Sequence, residues 1–205
     1  MEKGMYYLNQ NEHPEIEYLT DVQGKSDPAF YEHGSIKEAG CGLCSAGMML
    51  YDFFGIRVPL EELVQLSYDA QANLSPGTDM KRFGQALCDK YSLTMSFSND
   101  LSDVISCLDR GGLCIANVGG DREGHIGTYS HGGHYIYVFD YDDNSREFLI
   151  LDPSYYPHKY EEKGREGLVK KNGNVCRSVG QVLLDDTANR DPGFYLFVKN
   201  GKVTV

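Results

Sequence analysis

The sequence predicts an α+β protein in which helices come first and an antiparallel sheet follows. Apolar residues at helical spacing dominate residues 41–110, whereas short apolar runs between turn signals dominate the second half. The sequence contains no internal repeat and no low-complexity tract. Because helices and strands occupy different parts of the chain, we expect the helices to be segregated from the sheet.

The chain of 205 residues is long enough to bury a core in a single domain. Residues 1–30 are polar and acidic, and they include Pro14 and Pro28. We interpret them as an irregular or loosely packed arm, which could serve as a lid or as a partner contact. Residues 31–205 then form one domain.

Four helices are predicted in the first half. The first spans residues 41–54 and is apolar nearly all round, as expected of a buried helix. The second begins at Pro59, a favourable first-turn residue. The third begins near Asp79, and a short fourth helix at 101–109 ends before two glycines.

Short apolar runs bounded by turn residues predict the strands. They lie at residues 93–97, 113–118, 134–141, 147–151 and 194–198. The turn signal at residues 142–145 joins the third and fourth of these runs into a β-hairpin, and residues 171–174 form another tight turn.

The charge balance excludes some partners. A net charge of −11 leaves no basic stripe to neutralise phosphates, so we expect neither nucleic acid nor an anionic membrane as a partner. No run of about twenty apolar residues is present to span a membrane. The first thirty residues lack a signal-peptide pattern, which predicts a cytoplasmic protein with reduced cysteines. The sequence does not indicate an oligomeric state.

Cys41 is the first candidate for chemistry. It lies between Gly40 and Gly42 at the first turn of the predicted buried helix. Unpaired N–H groups and the helix dipole at this position favour the thiolate, which is the nucleophilic form. The glycines would let a substrate backbone approach closely. The alternative is a small cysteine packed in the core.

His134 is the best candidate for a base that serves this thiol. It starts a strand directly after Gly133, a third glycine expected at the substrate, and Asp152 ends the partner strand of the predicted hairpin. The hairpin would bring the two side chains together. His134 could instead be a structural histidine, and Asp152 an ordinary strand-exit residue. His125 and His131 rank lower because a loop fixes a ring less well than a strand.

Two other patterns use the same cysteine. Cys41 and Cys44 form a C-x-x-C at a helix start, as in thiol–disulfide exchangers, but the preceding segment is short and polar rather than a strand. The same two cysteines with His131 and His134 would supply four zinc-type ligands. The distance between the pairs along the chain is far from that of a compact zinc finger, so no metal is predicted.

Three segments resemble peptidase family C39-like proteins, which belong to the papain-like cysteine peptidase superfamily. Residues 34–50 are similar to the family's nucleophile segment, residues 129–138 to its histidine segment and residues 151–153 to its aspartate segment. The resemblance covers about residues 30–185 and leaves the arm out. It implies a papain-like fold with Cys41 as nucleophile, His134 as general base and acid, and Asp152 as the residue that orients the histidine.

The sequence departs from this family at the oxyanion position. Papain-like enzymes place a glutamine a few residues before the nucleophile, but here the six-residue offset falls on Ser35 and the nearest upstream glutamine is Gln23. We therefore expect the Cys41 backbone N–H to act with Gln23 or Ser35. Loss of one such donor costs about 3 kcal/mol of transition-state stabilisation.

The resemblance implies a cysteine peptidase or amidase that works through a thioester acyl-enzyme. The substrate would be a peptide or a small amide or acyl compound, and no cofactor is expected. An acyltransferase with the same triad is one alternative. A non-catalytic binding or scaffold domain is the other.

Overall fold

The computed structural model of the chain describes residues 5–201. Its central feature is a seven-stranded antiparallel sheet in the order β1-β7-β2-β3-β4-β6-β5. The strands are β1 (Leu93–Ser98), β2 (Leu113–Val118), β3 (His134–Asp142), β4 (Glu147–Leu151), β5 (Lys170–Asn172), β6 (Val175–Val179) and β7 (Phe194–Lys199).

Seven α-helices and two 3₁₀ turns surround the sheet within the described residues. The helices are α1 (Pro28–Tyr31), α2 (Ile36–Ala39), α3 (Cys41–Phe54), α4 (Leu60–Asp69), α5 (Met80–Tyr91), α6 (Leu101–Asp109) and α7 (Gly180–Thr187). The 3₁₀ turns span Gln10–Glu12 and Lys159–Glu161.

The central strands are buried on both faces of the sheet. Successive side chains along a strand point to opposite faces, so each strand contributes to two cores. Ile115 and Tyr137 point into the core shared with α3, α4 and α5. Their neighbours Ala116 and Ile136 point into a second core that includes side chains of α6 and α7. The central strands are therefore apolar on both sides, and they sit between two helical layers.

The junction between α2 and α3 places Cys41 at a helix start. Ser35 caps α2 in a capping box with Glu38. The helix then ends at Gly40, where an added methyl group would lie 2.5 Å from the carbonyl oxygen of Ile36. Glycine is required there by this close approach, and α3 begins at the next residue.

The hairpin of β3 and β4 fixes the other side of the site. Tyr137 pairs with Leu151, and a bulge between Val138 and Asp140 adds one residue to β3. Asp152 directly follows β4, so its side chain lies beside the start of β3, where His134 is located. The hairpin was predicted from the turn signal, and it is confirmed.

The predicted segregation of helices and strands is only partly right. Strand β1 comes before α6 and pairs with β7, and α7 lies between β6 and β7. No helix was predicted at α7. This helix starts at a glycine and has no side-chain cap, so its sequence carries no start signal.

The arm is irregular but not loosely packed, which corrects that part of the prediction. Leu8 and Tyr18 lie in the core, and the Tyr18 hydroxyl forms a hydrogen bond of 2.9 Å with Thr78. The domain boundary near residue 30 stays a prediction. Residues 1–4 of the arm and 202–205 of the predicted domain lie outside the described residues.

None of the helices between residues 5 and 201 combines the length and the apolar character needed to cross a membrane.

Candidate active site

A groove opens where α3 meets the start of β3. Its polar lining comes from α2, α3, the loop before α5, the end of β2, the start of β3 and the loop before β7. The residues are Glu38, Cys41, Thr78, Asn117, His134 and Arg190. Side chains from both ends of the sequence therefore meet at one surface.

Cys41 is half-buried in this groove at the first position of α3. Burial opposes ionisation of the thiol, but hydrogen bonding to His134 and the charge of that ring outweigh burial. Backbone N–H groups of Tyr135 and Gly42 act in the same direction. Together they hold the pKa of Cys41 below its usual value, which favours the nucleophilic thiolate.

The other cysteines differ from Cys41 in this respect. Burial raises the pKa of Cys88 to about 11 and that of Cys176 to about 12. Burial, with the nearby charge of Cys41, also raises the pKa of Cys44, one turn along the same helix. All six cysteines are free thiols; five are buried, and Cys41 is half-buried and lines the groove. The Cys41/Cys44 pair therefore contains one activated thiol and one packing residue.

His134 links the thiol to a buried carboxylate. Its Nε2 lies 2.9 Å from Oδ1 of Asp152, which leaves Nδ1 for the thiol of Cys41. Burial lowers the pKa of His134, but its interactions with Asp152 and Cys41 outweigh burial and raise the pKa above its usual range. A lowered thiol pKa beside a raised imidazole pKa favours a thiolate–imidazolium pair.

Asp152 is 1% exposed and sits in a dense polar network. Oδ2 accepts hydrogen bonds from Nζ of Lys159 and the hydroxyl of Tyr160, each at 2.6 Å. Oδ1 accepts from the backbone N–H of Ser154 at 2.9 Å. Burial raises the pKa of Asp152, but the charge of Lys159 and the bond to His134 hold it well below its usual range. The carboxylate is ionised and fixed toward the histidine.

Lys159, Tyr160 and Ser154 were not predicted from the sequence. Lys159 is 1% exposed, although a lysine between a histidine and a tyrosine after a turn gives no sign of burial. The hydroxyl of Ser154 lies 3.1 Å from Nε2 of His134. The position of Ser154, two residues after the aspartate, is typical of a turn in which a carboxylate accepts from the backbone. That signal was present in the sequence.

The arm binds the backbone that carries Asp152. The hydroxyl of Tyr7 donates to the carbonyl of Asp152 at 2.6 Å, and the N–H of Gln10 donates to the carbonyl of Pro153 at 2.6 Å. The side chain of Gln10 also donates to the carbonyl of Lys37 in α2 at 2.6 Å. The arm thus connects the carboxylate loop to the helix that leads into Cys41.

The two predicted oxyanion side chains do not line the groove. The Ser35 hydroxyl is engaged in the cap of α2, where it bonds Glu38 and accepts from the N–H of Lys37. Gln23 is exposed, and its backbone N–H donates to the carbonyl of Leu74. Their proposed role stays a prediction, and for Ser35 the capping bonds compete with it.

The three predicted substrate glycines have different surroundings. Gly133 lines the groove beside His134. Gly40 packs on Ile36, and a methyl group added to Gly42 would lie 3.2 Å from Cβ of Thr78. Close packing explains the glycines at positions 40 and 42 without a substrate.

His125 and His131 lie away from Cys41. Nε2 of His125 is 2.9 Å from Oδ1 of Asp186, and His131 contacts Asp121 and Glu162. Neither histidine is among the residues that line the groove. In the described part of the chain, no group of three or more histidine, cysteine or acidic side chains is arranged to hold a metal ion.

A comparison with protein families identifies the relatives of this chain. The sequence profile described as the Peptidase_C39 like family matches residues 3–172. The chain belongs to this family. The match includes the arm, which the resemblance based on motifs had left out. No curated protein sequence matches the chain.

The comparison with solved structures finds a C39-like protein that shares the fold. A C39-like peptidase candidate from Bacillus anthracis superposes with a TM-score of 0.59 at 12% identity, covering 98% of each chain. The peptidase domain of Streptococcus ComA, a bifunctional ABC transporter of a quorum-sensing pathway, matches less closely. Its TM-score is 0.48 at 14% identity, over 78% of this chain and 91% of that domain. With the family match, the first comparison confirms the predicted α+β, papain-like fold.

Proposed function

We propose that this member of the Peptidase_C39 like family is a cysteine peptidase or amidase that forms a thioester acyl-enzyme. Cys41 is the nucleophile, His134 the general base and acid, and Asp152 the residue that orients the imidazole. The observation that supports the proposal most is geometric: Cys41 and His134 line one groove, and Nε2 of His134 lies 2.9 Å from Oδ1 of Asp152.

In the first half of the reaction, the Cys41 thiolate attacks the carbonyl carbon of a peptide or amide. A C–S bond forms, and the oxygen becomes an oxyanion close to the start of α3, where the helix dipole favours negative charge. When the tetrahedral species collapses, the C–N bond breaks. The imidazolium of His134 gives its proton to the leaving amine.

In the second half, a water molecule takes the place of the amine. His134 accepts one proton from the water as its oxygen attacks the thioester carbon. The C–S bond then breaks, and Cys41 leaves as the thiolate beside the imidazolium. Asp152 keeps Nδ1 of the ring aimed at the sulfur in both halves, and it stabilises the imidazolium each time the ring is charged.

Incubation of the protein with a peptide library in H₂¹⁸O tests this proposal without a known substrate. Hydrolysis through the acyl-enzyme would place one ¹⁸O atom in each new carboxyl terminus, detectable by mass spectrometry. Added hydroxylamine would intercept the thioester and give hydroxamates instead. The intact mass of the protein should increase transiently by the mass of the acyl group. A base-labile adduct that maps to Cys41 alone identifies the thioester.

Two cysteine variants make the test specific. Cys41→Ala should abolish ¹⁸O incorporation, while Cys44→Ala, which changes the buried neighbour one turn away, should retain it. Products that carry an amine acceptor but no ¹⁸O would identify an acyltransferase. Library peptides that bind without turnover, together with a Cys41 no more reactive than Cys88, would overturn the enzymatic proposal and favour a binding domain.

A further inference from the structure

Arg190 is a second functional candidate at the same groove. It lies in the loop between α7 and β7, and its backbone N–H donates to the carbonyl of Thr187 at 2.8 Å. The guanidinium group covers Gly133, the residue before His134. A methyl group added to Gly133 would lie 2.7 Å from Nη2 of Arg190. The cation is therefore held beside the proposed base.

This cation has no counter-ion within residues 5–201. Its Nε is enclosed by protein and has no hydrogen-bond partner in the described structure. The adjacent Asp191 accepts instead from Asn99 at 3.2 Å. The one acidic residue in the groove lining, Glu38, accepts from the N–H of Ser35 at 3.2 Å.

Arg165 has an ion pair and a hydrogen bond from Nε, although its Nη2 also lacks a partner in the described structure. Arg165 is fully buried, and its Nη1 lies 2.7 Å from Oε2 of Glu162. Its Nε donates to the carbonyl of Gly127 at 2.8 Å. Arg190 is also partly buried, in a chain with a net charge of −11, yet it has neither kind of partner. A guanidinium group in this situation offers a planar fork of donors that fits a carboxylate.

We propose that Arg190 binds a carboxylate of the substrate, so that the groove selects peptides with a negative charge near the scissile bond. The charge comes from an acidic side chain or from a free carboxyl terminus. This inference rests on the proposed function, because it concerns the substrate of the same nucleophile. Among the described residues, no lysine and no other arginine lines the groove.

Two alkylating reagents of nearly equal size test the inference without a known substrate. Iodoacetate carries a carboxylate where iodoacetamide carries a neutral amide, and both alkylate a thiolate. The measured quantity is the ratio of their second-order rate constants at Cys41, followed by peptide mapping. We expect Arg190→Met to lower the iodoacetate-to-iodoacetamide ratio by roughly threefold or more, as expected for loss of a nearby charge. The ratio cancels any change in thiolate content.

Control variants separate the local charge from the net charge. Arg110→Met removes an exposed arginine at the end of α6 and should leave the ratio unchanged. Arg190→Lys should keep much of the preference for iodoacetate. If Arg190→Met does not fold, Arg190→Gln retains hydrogen-bonding capacity without charge and should lower the ratio in the same way.

The outcomes distinguish this inference from the proposed function. A Cys41 that reacts rapidly with iodoacetamide, but with a ratio that is insensitive to Arg190→Met and Arg190→Gln, overturns the role of Arg190 alone. A Cys41 that reacts with neither reagent faster than Cys88 overturns the proposed function, and the substrate inference with it.

Peptide libraries then identify the source of the carboxylate. One library has free carboxyl termini, and a matched library is amidated; each is divided into members with and without Asp or Glu. Preferred cleavage that survives amidation but requires Asp or Glu at a fixed position assigns an acidic side chain. Preferred cleavage that is lost on amidation assigns the free terminus. Equal cleavage of all four sets by the wild-type protein and Arg190→Met contradicts the proposal.

Discussion

Within residues 5–201, two histidines contact a buried aspartate at the same distance but in different surroundings. Nε2 of His134 lies 2.9 Å from Asp152, and Nε2 of His125 lies 2.9 Å from Asp186. Both carboxylates are buried. Only the first pair has a cysteine on the free side of the ring, namely Cys41.

The partners of the two carboxylates explain why the pairs differ. Asp186 accepts from the backbone N–H groups of Thr128 and Tyr129, so it organises the glycine-rich loop. Asp152 is instead bonded by the ionised side chain of Lys159. A histidine–aspartate pair is therefore not by itself a sign of catalysis. The thiol beside the ring and the ammonium group bonded to the carboxylate distinguish the pair that we propose to be catalytic.

Replacement of the histidine should reveal the largest difference between the two pairs. His134→Ala removes the general base and the cause of the lowered thiol pKa, so we expect kcat/KM for the library peptides to fall on the order of 10⁴-fold. His125→Ala should change it by less than about threefold, with a loss of about 1 kcal/mol in unfolding free energy. Equal losses of activity in the two variants would contradict the assignment of the base.

Replacement of the two aspartates should have the next largest effect. Asp152→Asn removes the charge that stabilises the imidazolium, and we expect about a 10³-fold fall in kcat. Since this variant leaves Lys159 without a counter-ion, the double variant Asp152→Asn/Lys159→Met should be measured as well. Asp186→Asn should lower the unfolding free energy by about 1–3 kcal/mol while kcat per folded molecule stays the same.

The ion pair between Lys159 and Asp152 should also contribute to stability. Lys159→Met leaves a buried carboxylate without its cation, so we expect a loss of about 3 kcal/mol in urea unfolding at pH 7. Lys170→Met, which removes an ion pair with a lysine that is 74% exposed, should cost less than about 1 kcal/mol.

The effect of Lys159 should depend on pH in a defined direction. Because the folded protein lowers the pKa of Asp152, the stability gained from this group is present above the ordinary carboxyl pKa of about 4. It is lost as the pH falls toward the folded value. The difference in unfolding free energy between the wild-type protein and Lys159→Met should therefore become smaller below about pH 4. A difference that becomes larger there would contradict a stabilising ion pair.

The smallest expected effect concerns the thiol itself. In the wild-type protein, alkylation of Cys41 by iodoacetamide should rise with pH through a midpoint below the ordinary thiol pKa of about 8.5. In His134→Ala the midpoint should move above it, because burial is the largest influence and only the backbone N–H groups then oppose it. The rate at pH 7 should fall by about tenfold or more. His125→Ala should have the wild-type midpoint.

The sequence allowed correct predictions where a structural feature depends on residues that are close together in the chain. The glycines around Cys41 and the apolar run after it predicted the start of α3, and one turn signal predicted the hairpin that carries His134 and Asp152. Ser35 carries a second signal that was not used in the prediction. Its spacing from Glu38 is that of a capping box, which engages the hydroxyl that we had expected at the oxyanion.

The rest of the site depends on contacts that no local pattern encodes. Lys159 begins a 3₁₀ turn and Arg190 lies in a loop, and charged residues in such segments normally lie in solvent. Their burial results from how distant loops pack. Helix α7, which carries Asp186, begins without a capping side chain, so its start could not be recognised from the sequence.

The bonds from Tyr7 and Gln10 to residues 152 and 153 have a consequence for biosynthesis. As the polypeptide leaves the ribosome, the nucleophile emerges well before its histidine and its carboxylate. The arm cannot dock until the β3–β4 hairpin has formed. A nascent chain therefore carries an ordinary thiol, and the lowered pKa of Cys41 arises only once translation has passed the hairpin.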